Sequence, residues 1–158
     1  MEFGERQPGQ FPREGRLLGL DYGTRRVGIA ISTPDQTISS PLENYARCSE
    51  RLDAEHLKRL SDEYRAAGLV VGLPVHMSGE EGRKAAEARR FGEWAAKVTG
   101  LPVRFWDERY TSARAEEYLL AADMSRKKRK ARLDMLAAQI LLQSFLDAKD
   151  REQRPGSM

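Results

Sequence analysis

Three acids in this chain stand at places where a charge needs a purpose. Asp21 closes the apolar run Leu17 to Asp21 and is followed by a turn at Tyr22-Gly23-Thr24, so its carboxylate projects at a strand end beside exposed backbone amides. Such a place suits a cation or a phosphate, and it equally suits an aspartate that only starts a turn. Asp107-Glu108-Arg109 follows the strand-like run Val103 to Trp106. Successive strand side chains alternate, so one acid faces the sheet's interior or catalytic edge and the other faces away, unless the two form a solvated pair neutralised by Arg109. Asp134 falls on the helical face of Ala137, Ala138, Leu141 and Phe145, which should dock on a sheet. A carboxylate there costs several kcal/mol unless something pairs with it. Either Asp134 caps its helix, or it shares a metal ion with Asp21 and Glu108.

The cations cluster beside these acids. Arg126-Lys127-Lys128-Arg129-Lys130-Ala131-Arg132 carries six cations in seven positions and leads into the helix bearing Asp134, and its obvious use is electrostatic binding of a phosphodiester backbone. Arg25 and Arg26 in the turn after Asp21, Arg109, and the loop from Gly72-Leu73-Pro74 to Gly79 are further candidates for phosphate contact, though each is also ordinary turn chemistry. A net charge of +3 and a pI near 9.1 lean the same way. Cys48 is the only cysteine and His56 and His76 the only histidines, so no disulfide framework or Cys/His zinc cluster is available and any metal must be held by oxygen. The histidines show no partner pattern, and Trp94 and Trp106 fit core packing better than base stacking.

The elements that must position these groups follow from periodicity. Leu17 to Asp21 and Val27 to Ser32 read as a hairpin, with a third strand in Ser40 to Arg47. Leu52, His56, Leu60, Tyr64 and Ala67 then fall at helical spacing behind Ser49, with Gly68 as the stop. Leu69 to Gly72 is a buried strand and Pro74 to Glu81 a loop. Ala85, Ala88, Phe91, Gly92, Ala95 and Val98 trace a second helix ending at Gly100, and Val103 to Trp106 is the last strand. Thr111 or Ser112 caps a third helix with Glu116 and Glu117 near its first turn, and a final helix runs from about Leu133 to Ala148. The order predicts a mixed sheet with helices on both faces, in one α/β domain over residues 16–148 between disordered tails at 1–15 and 149–158. No apolar run approaches a bilayer span, and residues 1–15 lack the apolar core of a signal peptide, so a cytoplasmic protein is expected.

Taken together, Leu18-Gly19-Leu20-Asp21-Tyr22-Gly23-Thr24 with Gly28-Ile29-Ala30, then Val71-Gly72-Leu73-Pro74, then Asp107-Glu108-Arg109-Tyr110-Thr111-Ser112, then Asp134 through Leu146 resemble the YqgF family of Holliday junction resolvases and pre-16S rRNA nucleases. The resemblance runs from about Arg16 to Asp147, with the basic segment between the last two motifs. It implies an RNase H-like fold of five strands, the first three antiparallel and the later two parallel to the first. It implies metal-ligating, catalytic carboxylates at Asp21, Glu108 and Asp134, with Asp107 a fourth candidate, and Mg²⁺ or Mn²⁺ as cofactor, two ions being the usual number for such hydrolysis. The partner is then a nucleic acid, either a 16S rRNA precursor or branched DNA, cut by a monomer or homodimer. In many proteins of this fold the second acid sits on the strand before the second helix. Here that strand ends in Gly72-Leu73-Pro74 without one, so Glu108 must reach the site from the next strand.

Two other classes share parts of the pattern. The Asp-x-Gly-Thr turn also resembles the phosphate loop of sugar kinases and actin-like ATPases, but those need two such domains. A nucleic-acid-binding module without catalysis would use only the basic segment and leave three acids without a purpose.

Overall fold

The computed structural model describes residues 10–111 and 126–152, with residues 126–135 as backbone alone. Its elements are β1 (Leu17–Tyr22), β2 (Arg26–Ser32), β3 (Ser39–Ala46), α1 (Glu50–Glu63), β4 (Gly68–Leu73), α2 (Arg83–Thr99), β5 (Val103–Asp107), a single 3₁₀ turn (Glu108–Tyr110) and α3 (Arg126–Asp147). The strands form one sheet in the order β3-β2-β1-β4-β5. β1 pairs antiparallel with β2, and β2 with β3, while β4 runs parallel to both β1 and β5. The mixed sheet expected from sequence is the one observed. The third helix expected after Thr111 lies outside the described residues.

Alternation along the central strands divides the core in two. Leu18 and Leu20 of β1, Ile29 and Ile31 of β2, and Leu69 and Val71 of β4 face Leu57 and Leu60 of α1 and Phe91 and Ala95 of α2. Leu17, Ala30, Val70 and Trp106 point to the other face, against Ala138, Leu141, Leu142 and Phe145 of α3. Helices on both faces bury both sides of β1 and β4, as continuous apolar runs require. Gly19 brings α3 close: a Cβ there would lie 2.8 Å from the Leu142 Cβ and 3.2 Å from the Ala138 carbonyl oxygen.

Three expectations are corrected. In α1 the buried face is Asp53, Leu57, Leu60 and Ser61, and Leu52 is exposed. Two polar residues hold that face because each is satisfied: Asp53 accepts from the Cys48 amide at 2.9 Å and the Tyr45 hydroxyl at 2.8 Å, and Ser61 donates to the Lys58 carbonyl at 2.9 Å. The helix stops before Arg65, whose φ of 51° turns the chain, and Gly68 opens β4 instead of ending α1. His56, with no partner evident in sequence, stacks on the Tyr45 ring at 4.2 Å and sits 2.6 Å from the Glu43 carboxylate.

The last helix begins at Arg126, not Leu133, because Arg, Lys and Ala are good helix formers even where no apolar face marks them. The basic segment is therefore helical. Ordered packing also extends past both ends of the 16–148 span. Phe11 is buried against Phe145, Gln36 donates to the Pro12 and Gly15 carbonyls, and Arg151 donates to Gln36 and the Leu146 carbonyl.

Candidate active site

The site lies at the carboxyl end of β1, on the face covered by α3. Alternation places Gly19 and Asp21 on that face, opposite Leu18, Leu20 and the ring of Tyr22, which packs on Phe91. Across the sheet, β5 ends in the buried Asp107 and the chain tightens at once into the 3₁₀ turn. The Asp107 carboxylate caps this turn by accepting from the Arg109 amide at 2.9 Å, and the Thr111 hydroxyl donates to the Glu108 carbonyl at 2.8 Å.

Glu108 is thereby aimed back across β4, which separates β5 from β1 in the sheet. Gly72 of β4 is the gap it crosses: a Cβ at that position would meet the Glu108 Oε1 at 2.5 Å and the Leu141 Cδ2 at 3.1 Å. Beyond the gap Glu108 shares a hydrogen bond with Asp21. Burial first, then the Asp21 charge and that hydrogen bond, push the Glu108 carboxyl up to about 8. The Asp107 charge adds to the rise, and no cation among the described residues opposes it.

The two acids of the Asp107-Glu108 pair thus do different things. Glu108 meets Asp21, whereas both Asp107 oxygens accept from Arg109, at 2.7 and 3.0 Å to one and 3.1 Å to the other. Arg109 also donates to the Met77 carbonyl at 3.3 Å, tying the β4–α2 loop to the turn. Expected as a phosphate contact, Arg109 has its guanidinium spent on these protein partners.

Asp134 lies in the third turn of α3, so it cannot be the helix cap. The α3 helix runs against β1. Its Gln143 and Gln139 bond Ser39, beside the start of β1, and Ala138 lies over Gly19. Two residues on from Gly19 is Asp21, and four residues back from Ala138 is Asp134, each about 6 Å along its element. Both steps lead to the same end of the sheet. Arg25 in the β1–β2 turn and Arg26 at the start of β2 are exposed at that end.

Two half-buried carboxylates this close favour a proton or a cation between them, and a donor set made wholly of oxygen suits Mg²⁺ or Mn²⁺. No group of three or more His, Cys, Asp or Glu side chains that could hold an ion is found among the described residues. Sequence reasoning took Gly72 only as the end of a strand and the start of a candidate phosphate loop, although a glycine inside a buried apolar strand signals close approach by another group.

A mixed sheet of this order with helices on both faces is the RNase H-like fold. Within that class the chain is a member of the RuvX family, described as "Holliday junction resolvase", whose profile it matches over residues 15–148. Among curated relatives, a protein of Rhodopirellula baltica is 45% identical over 138 residues, spanning 87% of this chain and 80% of its own length. One from Cereibacter sphaeroides is 45% identical over 145 residues, spanning 92% and 91%. Both carry the name "Putative pre-16S rRNA nuclease". Among solved structures, T. thermophilus RuvC in complex with a Holliday junction substrate aligns with a TM-score of 0.50 at 13% identity, covering 82% of this chain and 92% of that one, and so shares the fold.

Proposed function

We propose that this protein is a divalent-metal-dependent nuclease that cleaves phosphodiester bonds of a 16S rRNA precursor in the cytoplasm, with Asp21, Glu108 and Asp134 holding the metal. The observation that carries the reading is Glu108 crossing β4 over Gly72 to meet Asp21, two carboxylates held together at the end of β1. Bound Mg²⁺ or Mn²⁺, one ion or two, supplies the positive charge that makes a water nucleophilic and stabilises the leaving oxygen. The chain's own part is to fix the acids: the Asp107 cap and Thr111 set the turn, Gly72 leaves the passage, and α3 carries Asp134 to the same sheet end. Asp107, engaged by Arg109, is left outside the ligand set. The cations of residues 126–132, with Arg25 and Arg26, hold the substrate backbone.

The RNA substrate rests on the names of the relatives that cover most of this chain. The family description favours branched DNA as a second reading, which would require two active sites and hence a two-fold dimer. The test offers the purified protein a 16S rRNA precursor and a four-way DNA junction with Mn²⁺. Cleavage of the precursor alone is expected, and cleavage confined to the junction overturns the RNA reading. Asp21→Asn should abolish cleavage while leaving folding and nucleic-acid binding intact, and wild-type rates in that variant would sink the metal site.

A further inference from the structure

A second concavity opens on the opposite face of the same sheet end, between the β1–β2 turn, the start of α1 and the middle of α2. This cleft of about 570 Å³ is lined by Tyr22, Arg25, Arg90 and Trp94 among others. Tyr22 directly follows Asp21 on β1, so a chain passing over the Gly23-Thr24-Arg25 turn goes from the carboxylates to the cleft within one residue's width of the sheet. Its aromatic wall is continuous, with Tyr22 and Phe91 centroids 4.9 Å apart and Phe91 and Trp94 5.7 Å apart. Trp94 is only half-buried and lines the cleft.

The charges in the cleft divide into spent and unspent. Arg47 is committed to Asp53 at 3.5 Å and lies over the Tyr22 ring, and Glu87 lies 3.6 Å from Arg83. Arg25 and Arg90 are exposed and have no carboxylate partner among the described residues, while the exposed Glu50 is the acid left at the rim. A stacking surface flanked by two unpaired guanidinium groups is the recognition set for one nucleotide, the ring taking the base and the arginines its phosphates.

We infer that this cleft is a subsite for a nucleotide of the substrate strand flanking the scissile bond, with Trp94 as the base platform and Arg25 and Arg90 as the phosphate contacts. The inference rests on the nuclease reading for its ligand, and it extends the bound strand to the α1/α2 face, away from the α3 face where the acids lie. It also gives Trp94 a second use beside core packing.

Trp94 and Trp106 are the only tryptophans, so Trp106→Phe leaves Trp94 as the sole reporter. In that variant also carrying Asp21→Asn, poly(U) should quench Trp94 fluorescence, and UMP at the same phosphate concentration should not. Should the loss of Trp106 impair folding, the quench missing from Trp94→Phe relative to the otherwise native chain reads the same quantity. Arg25→Ala with Arg90→Ala should abolish the quench, and Trp94→Ala should weaken poly(U) binding by roughly five- to 150-fold, the worth of one stacked base. Poly(U) binding, followed by anisotropy, without any change at Trp94 overturns the subsite. Equal quenching by UMP overturns it in favour of a free-nucleotide site. The readout does not depend on cleavage, so a nuclease that cuts without quenching refutes the subsite alone, and quenching by a protein that never cuts refutes the proposed function alone.

Discussion

Glu108 behaves as two different residues depending on whether its charge is answered. Burial and the Asp21 charge push its carboxyl up to about 8, against an ordinary value of 4.5. Between those values the native state keeps a proton that the unfolded chain has lost, so stability is greatest below about 4.5 and declines as pH rises toward about 8, by a few kcal/mol in order of magnitude. In EDTA the melting temperature should therefore fall across that window. Added Mn²⁺ should remove the fall, because a cation replaces the proton, and Glu108→Gln should flatten it without metal. A melting temperature independent of pH in EDTA would contradict the shared-proton pair. The passage over β4 is a second test at this scale. In Gly72→Ala the new Cβ would sit 2.5 Å from the Glu108 Oε1, forcing the carboxylate off Asp21. Cleavage should drop by about 10²-fold, the scale of a 1 Å misplacement, with the fold retained; an unchanged rate would show that Glu108 need not cross there. Strand alternation after Trp106 foretold that one acid of the pair would turn inward. It could not say which, because the choice is made by the Arg109 and Thr111 contacts of the 3₁₀ turn, local hydrogen bonds that no apolar periodicity marks.

At the scale of elements, the sequence was most legible where apolar periodicity and structure coincide: the β1–β2 hairpin, β4, and α2 with its stop at Gly100. It was least legible where a buried face is polar, as in α1, or where a helix projects past the sheet and needs no apolar face, as in the first turns of α3. That second error bears on function. In a helix that begins at Arg126, the six cations are spread around the axis, and only Lys127 and Lys130 recur at the three- and four-residue spacing that ends in Asp134. Those two share the acid's face and should contribute most to holding a strand over the site. Lys127→Ala with Lys130→Ala should lower the slope of log affinity against log salt by roughly 1.4 to 1.8, about one counterion for each lost phosphate contact. Anisotropy titrations in increasing KCl measure it. A slope unchanged from the native protein would assign the run to solvent and move the binding surface to Arg25 and Arg26.

For the whole molecule, the sheet separates its two tasks by end. β1 finishes at the acids and starts beneath a cluster that ties residues 11–15 and Arg151 to the domain. Phe11 is buried edge-on to Phe145 at 5.7 Å, lies under the Arg104 guanidinium at 5.5 Å, and covers Gly68, the partner of Leu17 at the first position of β1. Gln36, buried with a left-handed φ of 57°, then takes both segments at once: its Nε2 donates to the Pro12 and Gly15 carbonyls while Arg151 donates to its Oε1. A lone Phe outside the periodic segments gives no signal of this, since its partners lie far along the chain. Phe11→Ala should cost about 3–5 kcal/mol, a large share of a typical domain's margin of about 5–15 kcal/mol, and lower the melting temperature by roughly 6 to 20 °C. Phe11→Leu should recover most of that loss. Below the melting transition the Phe11→Ala protein should cut at the native rate, because the cluster and the acids lie at opposite ends of β1. Calorimetry and a cleavage assay at low temperature separate the two effects. An unchanged melting temperature would mean that residues 10–15 do not pack on the sheet, and a lost rate at full folding would mean that the two ends of β1 are coupled.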